Sequence, residues 1–238
     1  ASPLRLASYE RLFEQVPLAR VWKLLNVGYV VTWLEDLDVP AQPVYQEPAR
    51  RGEVDYVHKL DEEHPRAWIV YQIEGLADED AVLDRLAQPD FDPYTVALLA
   101  EPEGSAVAAT PSARPGGEPG ASPAGSGDGS RAPAVRFVAL SPTRLSIEVD
   151  QPAAGLLVLS EVYYPGWQAR VDGERVPILL ADAVLRAVQV PPGQHVVEMT
   201  FKPGSVRLGL AISAATLLAS AGYATWYLVH RVKRSGEI

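Results

Sequence analysis

Four histidines and two acidic clusters are the groups in this chain that could ligate a metal or move a proton. His58 and His64 flank a turn, His195 opens an extended run and His230 belongs to a basic run, so none shows metal-ligand spacing. Asp61, Glu62 and Glu63 form one carboxylate cluster, and Asp78, Glu79 and Asp80 form the other. Both read as solvated turn or helix-start residues, whereas acid–base work needs a pair held at a set separation. No GxSxG, Walker or dinucleotide fingerprint is present. The absence of cysteine removes disulfides, zinc–thiolate sites and thiol nucleophiles together. The expectation is a segment with no catalytic residue, metal site or cofactor of its own.

One aromatic constellation stands apart. Tyr163, Tyr164, Pro165, Gly166 and Trp167 follow one another, and such rings can stack on a sugar or lie at a membrane interface. The alternative is that Trp167 fills a core while Pro165-Gly166 turns the chain. Core packing is the preferred reading, and Tyr163, Tyr164 and Trp167 stay candidates for glycan or interface contact. A net charge of −9 argues against a nucleic-acid partner, because phosphate binding needs a clustered excess of Lys and Arg.

The elements that must position these residues are short. Leu18 to Asn26 has helical apolar spacing, and Val27 to Leu34 is β-branched and aromatic enough for a buried strand. Pro40, Pro43 and Pro48 punctuate a loop. Val54 to Leu60 and Ala67 to Ile73 read as strands, and Asp78 caps a helix from Glu79 to Ala87. Tyr94 to Ala100 reads as another strand. The stretch 102–133, built from Gly, Ser, Ala and Pro, cannot repay the entropy of ordering and reads as a linker or exposed loop.

Beyond it the chain alternates in runs at Val135 to Leu140, Arg144 to Val149, Gly155 to Val162 and Trp167 to Val171. Arg175 to Leu180, Val184 to Val190 and His195 to Phe201 follow. Asp172-Gly173 marks a hairpin turn, since both residues must accept positive φ. Regular short strands predict an antiparallel β-sandwich. The fold class expected is mainly β with some α, ending in one transmembrane helix. The divisions are 1–101 (an α+β module), 102–133, 134–205 (the sandwich), 206–230 (the membrane helix) and 231–238 (the tail). The first module looks too small to bury its strands alone, which favours one composite domain.

Leu208 to Val229 carries no charge and is long enough to cross a hydrocarbon core of ~30 Å. Tyr223, Trp226 and Tyr227 sit near its far end, before the basic residues Arg231, Lys233 and Arg234. By the positive-inside rule that basic end stays in the cytoplasm, so everything before about 206 lies outside it. A last helix cannot export what precedes it. A signal or earlier membrane helices upstream of Ala1 are therefore expected, and the chain reads as part of a longer protein. Gly209, Ser213, Thr216 and Ser220 form a small, weakly polar stripe suited to packing against other membrane helices.

The run SEVYYPGWQARVDGERVPILLADAVLRAVQVPPGQHVVEMTFKP (Ser160 to Pro203), entering directly into an apolar helix, resembles the C-terminal end of the YfhO family of bacterial membrane proteins. WKLLNVGYVVT (Trp22 to Thr32), HPRAWIV (His64 to Val70) and FDPYTVALL (Phe91 to Leu99) resemble that family in the same order. The 102–133 stretch is longer than the family usually carries. The resemblance implies a polytopic, GT-C-like glycosyltransferase that moves a sugar from a polyprenyl phosphate onto a cell-envelope glycopolymer. It implies that the catalytic acidic residue lies in an early outer loop, so no catalytic residue is carried onto this chain. The partners implied are the bilayer, upstream helices of the same protein, the polyprenyl-linked sugar and the glycopolymer. A membrane-anchored module that binds a glycan or protein, without catalysis, remains the alternative. A purely structural sandwich that touches no ligand is also left open.

Overall fold

The computed structural model describes residues 4–48, 54–100 and 133–235. In chain order the elements are α1 (Leu4–Gln15), α2 (Leu18–Leu24), β1 (Tyr29–Thr32), β2 (Ala41–Pro48) and β3 (Val54–Leu60). Next come β4 (Ala67–Val70), β5 (Gln72–Leu76), α3 (Glu79–Ala87) and β6 (Val96–Ala100). The second half holds β7 (Ala134–Ser141), β8 (Arg144–Gln151), β9 (Gly155–Val162) and β10 (Trp167–Val171). It continues with β11 (Glu174–Val176), β12 (Leu179–Ala181), β13 (Leu185–Val190), β14 (Gly193–Phe201) and α4 (Gly204–Ser235). The expected linker, 102–133, lies outside the described residues except for Pro133.

Two sheets make the sandwich. One is five-stranded in the order β11-β10-β14-β8-β7, and the other is six-stranded in the order β4-β9-β13-β12-β6-β5. The β4–β9–β13 part of the six-stranded sheet is buried on both faces, which is why these strands are nearly continuous apolar runs such as AWIV and GLLVL. Ala67, Ile69, Leu157, Leu159, Val188 and Val190 face the five-stranded sheet and meet Leu145, Ile147, Val149, Val197 and Met199. The alternate residues Trp68, Val70, Leu156, Val158 and Ala187 turn the other way, against Leu12 of α1, Val21 and Leu24 of α2, and Val82, Leu83 and Leu86 of α3. The layers are therefore helices, curled sheet and second sheet, a mainly β fold with some α.

The curl has a covalent cause. β4 and β5 occupy opposite ends of the six-stranded order, yet only Tyr71 separates them in sequence. The sheet must bend until its edges approach, giving a half-barrel. The run expected as one strand from Ala67 to Ile73 is thus two strands that meet at this bend. β5 and β6 pair parallel across α3, the one departure from an antiparallel sandwich among the described strands. The run expected from Arg175 to Leu180 also divides, at Pro177, with β11 in the five-stranded sheet and β12 in the six-stranded one.

Strands β1, β3 and β2 form a separate antiparallel sheet in that order. The segment expected as a proline-punctuated loop is β2, because an edge strand tolerates residues that cannot donate to a ladder. The register shifts at a bulge between Pro43 and Tyr45, which absorbs one of those prolines. Helix α1 was not anticipated. Its buried Leu12 belongs to a cluster drawn from α2, α3 and the curled sheet, partners that exist only in the fold.

Among the described residues one helix is long and apolar enough to cross a membrane, at Gly204–Trp226. Its 23 residues rise about 34 Å, against ~30 Å of hydrocarbon. Every described side chain along it is exposed. A water-soluble core would bury such a helix, so its uncovered apolar surface supports membrane association.

Candidate junction between the sandwich and the membrane helix

The aromatic segment singled out in the sequence lies where the sandwich becomes helix. The amide of Tyr163 donates to the Val184 carbonyl at 2.7 Å, which ties the end of β9 to the β12–β13 turn. Gly166 adopts φ 108°, and a Cβ there would lie 3.0 Å from the Phe201 ring and 3.1 Å from the Pro203 Cα. Its carbonyl accepts the Lys202 amide at 2.7 Å. The Pro165-Gly166 turn is thereby pressed against Phe201, the last residue of β14, and Pro203, the residue just before α4, where only glycine fits.

Strand alternation then brings charge to this end. On β9, Leu157 and Leu159 face the space between the sheets, and Glu161 is the next residue on that face. On β13, Val190 and Val188 are followed by Arg186, and on β10 and β14 the corresponding last inward positions are Trp167 and Phe201. Arg186 is 3% exposed. Its guanidinium donates to Glu161 Oε2, and its central carbon lies 4.1 Å from the centre of the Trp167 ring. Glu161 Oε1 accepts from Arg66 Nη2 at 2.7 Å and from Nε at 3.2 Å. The Arg66 guanidinium in turn sits 5.4 Å from the Phe137 ring of β7. Trp167 is 5.4 Å from Phe201, and Phe201 is 6.1 Å from Tyr164.

Two arginines, one carboxylate and four aromatic rings thus bind the two sheets at the end from which α4 departs. Burial, with the neighbouring charge of Arg66, pushes the Arg186 pKa down to about 10, so it remains a cation at neutral pH. Its Nε and Nη1 are buried without a hydrogen-bond partner. The cluster compensates that charge by one ion pair and one aromatic face, a geometry suited to holding strands in register. It offers no paired acid and base. The inward position of Arg186 and Glu161 was legible from alternation in LRAVQV and GLLVLSEV, but their meeting was not.

The other expected sites are placed as follows. Trp167 is half-buried beside the inter-sheet core, Tyr163 is half-buried as well, and Tyr164 is 43% exposed. Gly209, Ser213, Thr216 and Ser220 lie along α4 with no described element against them, and the Thr216 hydroxyl donates to the Ile212 carbonyl at 2.9 Å. Arg231, Lys233 and Arg234 fall in the last turns of α4, and their side chains lie outside the described part. His58 is buried with Nε2 2.9 Å from the Leu34 carbonyl. At the opposite end of β14, His195 Nδ1 is 2.6 Å from Asp172 Oδ2 and Nε2 is 3.0 Å from the Pro192 carbonyl. Asp78 caps α3 by accepting the Ala81 amide at 2.8 Å, and Asp80 and Glu79 pair with Arg11.

One buried carboxyl went unforeseen. Asp182 is fully buried at φ 48°, and its Oδ1 accepts the Leu98 amide at 2.8 Å while its own amide donates to the Leu98 carbonyl at 2.9 Å. β12 and β6 pair at a single position, Ala181 with Leu99, so this clip holds the half-barrel together there. Burial pushes its pKa up to about 7.

With this geometry in view, residues 130–213 match the family model described as "Bacterial membrane protein YfhO". The match runs from just before β7 through β14, taking in the junction residues other than Arg66, and into the first turns of α4, while β4, β5 and β6 lie outside it. No curated protein and no solved structure gives a significant match to the chain.

Proposed function

We propose that this chain is the outward-facing C-terminal part of a polytopic YfhO-family protein, a GT-C-like glycosyltransferase that uses polyprenyl-phosphate-linked sugars on cell-envelope polymers. In this reading the sandwich braces the last membrane helix and shapes the acceptor side, while the chemistry resides elsewhere in the protein. The observation that carries it is the direct passage of β14 through Lys202-Pro203 into an uncovered apolar helix, with the family match running across that passage. A helix exposed along its described length needs lipid and other helices around it, and the Gly209, Ser213, Thr216 and Ser220 stripe is where helices can approach closely.

The experiment has two arms. Cysteine placed at Ser213 or Ser220 of this cysteine-free segment should cross-link to an upstream membrane helix of the intact protein. A cysteine at the Asp172-Gly173 turn should react with impermeant reagent in whole cells. Labelling of that turn only after permeabilisation overturns the orientation. Sugar transfer by the intact protein but not by residues 1–238 is expected, and turnover of a polyprenyl-phosphate sugar by 1–238 alone overturns the division of labour.

The alternative, a membrane-anchored module that binds a glycan or partner protein, rests on Tyr163, Tyr164 and Trp167. Arg186 lies over one face of the Trp167 ring and Phe201 packs beside it, which favours the brace over a sugar platform.

A further inference from the structure

We infer that the cleft between the β7–β8 turn and the end of β14 is a seat for the phosphate of an anionic phospholipid headgroup. The cleft, about 380 Å³, is lined by Ser141, Thr143, Arg144, Thr200, Phe201 and Lys202. No carboxylate lines it. Arg144 and Lys202 make no ion pair among the described residues, unlike Arg136, which pairs with Glu148 on the same outer face of the five-stranded sheet. The Thr143 and Thr200 hydroxyls add donors, whereas the Ser141 hydroxyl is already directed to the Arg144 carbonyl at 3.2 Å. Two cations and two hydroxyls around one opening are the donor set that a phosphodiester needs.

Backbone contacts hold the cleft in shape. The Phe201 amide donates to the Thr143 carbonyl at 2.9 Å, and the Lys202 amide donates to Gly166 at 2.7 Å. Register does the same, with Arg144 opposite both Ser141 and Thr200.

Its height identifies the ligand. The uncharged run begins at Leu208, and α4 begins at Gly204. At 1.5 Å per residue, Gly204 stands roughly 6 Å above the hydrocarbon edge. Two further extended residues bring Lys202 to about 13 Å at most. The headgroup layer occupies roughly the first 5–8 Å, and long basic side chains reach down into it. The cleft therefore opens at the level of lipid phosphates, beside a helix that must itself be surrounded by lipid. This inference rests on the membrane reading of α4 but not on any glycosyltransferase activity.

Residues 1–238 are reconstituted into phosphatidylcholine vesicles with and without phosphatidylglycerol, insertion of α4 is measured first, and retained lipid is then counted by native mass spectrometry. Wild type should retain phosphatidylglycerol preferentially. Arg144→Gln and Lys202→Gln should each weaken that preference about fivefold, the change that ~1 kcal/mol per basic residue at an anionic surface implies. Arg170→Gln, on the same outer face but farther along β10, should leave it unchanged. Equal loss in Arg170→Gln, or no loss in the cleft variants, overturns the site. Saturation of the cleft by inorganic phosphate in lipid-free detergent assigns it to a soluble anion and overturns the lipid. A chain that never inserts overturns both this inference and the membrane reading, whereas insertion without lipid preference overturns this inference alone.

Discussion

The Arg186 guanidinium lies 4.1 Å from the centre of the Trp167 ring, so a buried cation of the six-stranded sheet rests on an aromatic face of the five-stranded one. Glu161 completes the arrangement by pairing with both Arg186 and Arg66. The sandwich is thereby locked at the end that carries the membrane helix.

Removing one partner of a buried pair costs more than removing the cation itself. Glu161→Gln leaves Arg186 charged and unpaired, and should cost about 3–5 kcal/mol. Arg186→Met removes the charge and should cost less. A double-mutant cycle between Arg186 and Trp167 should give a coupling of about 1–2 kcal/mol, as expected for a desolvated cation–π contact. Urea unfolding of the detergent-solubilised chain measures all of these, and a Glu161→Gln variant no weaker than Arg186→Met contradicts the account.

Gly166→Ala places a methyl against Phe201 and Pro203 at a φ that L residues rarely adopt. A loss of about 1–3 kcal/mol is expected. Because the strain falls on Phe201 and Pro203, where β14 leads into α4, proteolysis between the sandwich and the helix should quicken in the same variant. Unchanged melting temperature and unchanged cleavage would show the turn to be tolerant.

Asp182 makes the half-barrel pH-sensitive. Its folded pKa, about 7, lies above the ordinary carboxylate value of 3.8, so the folded chain holds this proton more tightly than the unfolded one. The associated stability is complete below about pH 4, falls as pH rises and is lost above about pH 7. The magnitude is on the order of 4 kcal/mol at most. Asp182→Asn keeps an acceptor for the Leu98 amide and cannot ionise, so its stability curve should be flatter across that window. A variant as pH-dependent as wild type assigns the slope to another group.

The Asp172–His195 contact acts in a different window. Both imidazole nitrogens face acceptors, which favours the doubly protonated ring, and the hydrogen bonds to Asp172 and Pro192 raise the His195 pKa. Bonding to His195 and to the Val196 amide lowers that of Asp172. The histidine's contribution is present below its unfolded value of about 6.5 and is lost as pH rises through the folded value. The carboxylate's contribution is present above about 4 and is lost as pH falls through its depressed value. NMR titration of His195 should show an elevated midpoint that drops in Asp172→Asn, and a midpoint at the ordinary value in wild type refutes the pairing.

Several local features were legible in residue order because they depend only on near neighbours. Asp78 accepts an amide three residues on, and Asp172-Gly173 turns with φ 51° and 86°, as a two-residue hairpin requires. β3, β9 and β10 occupy the spans that their apolar and β-branched runs mark. Pro43 and Pro48 of β2, with Pro40 just before it, misled because prolines forbid a central strand but not an edge one, and edge status is conferred by β3 alone. The break at Tyr71 was invisible because both sides of it are strand, and only curling of the sheet sends them to opposite ends of its order.

What the sequence by itself determined is the location of strands such as β3, β9 and β10, several of the turns, and the uncharged span from Leu208 to Val229. These follow from backbone preference and from the thickness of a bilayer, which act over a few residues or along one helix. Tertiary structure alone decided that Glu161, Arg186, Trp167 and Arg66 would meet, and that Asp182 would clip β12 to β6. Each of those contacts joins residues far apart in the chain, and its energy exists only once burial has removed water from between them.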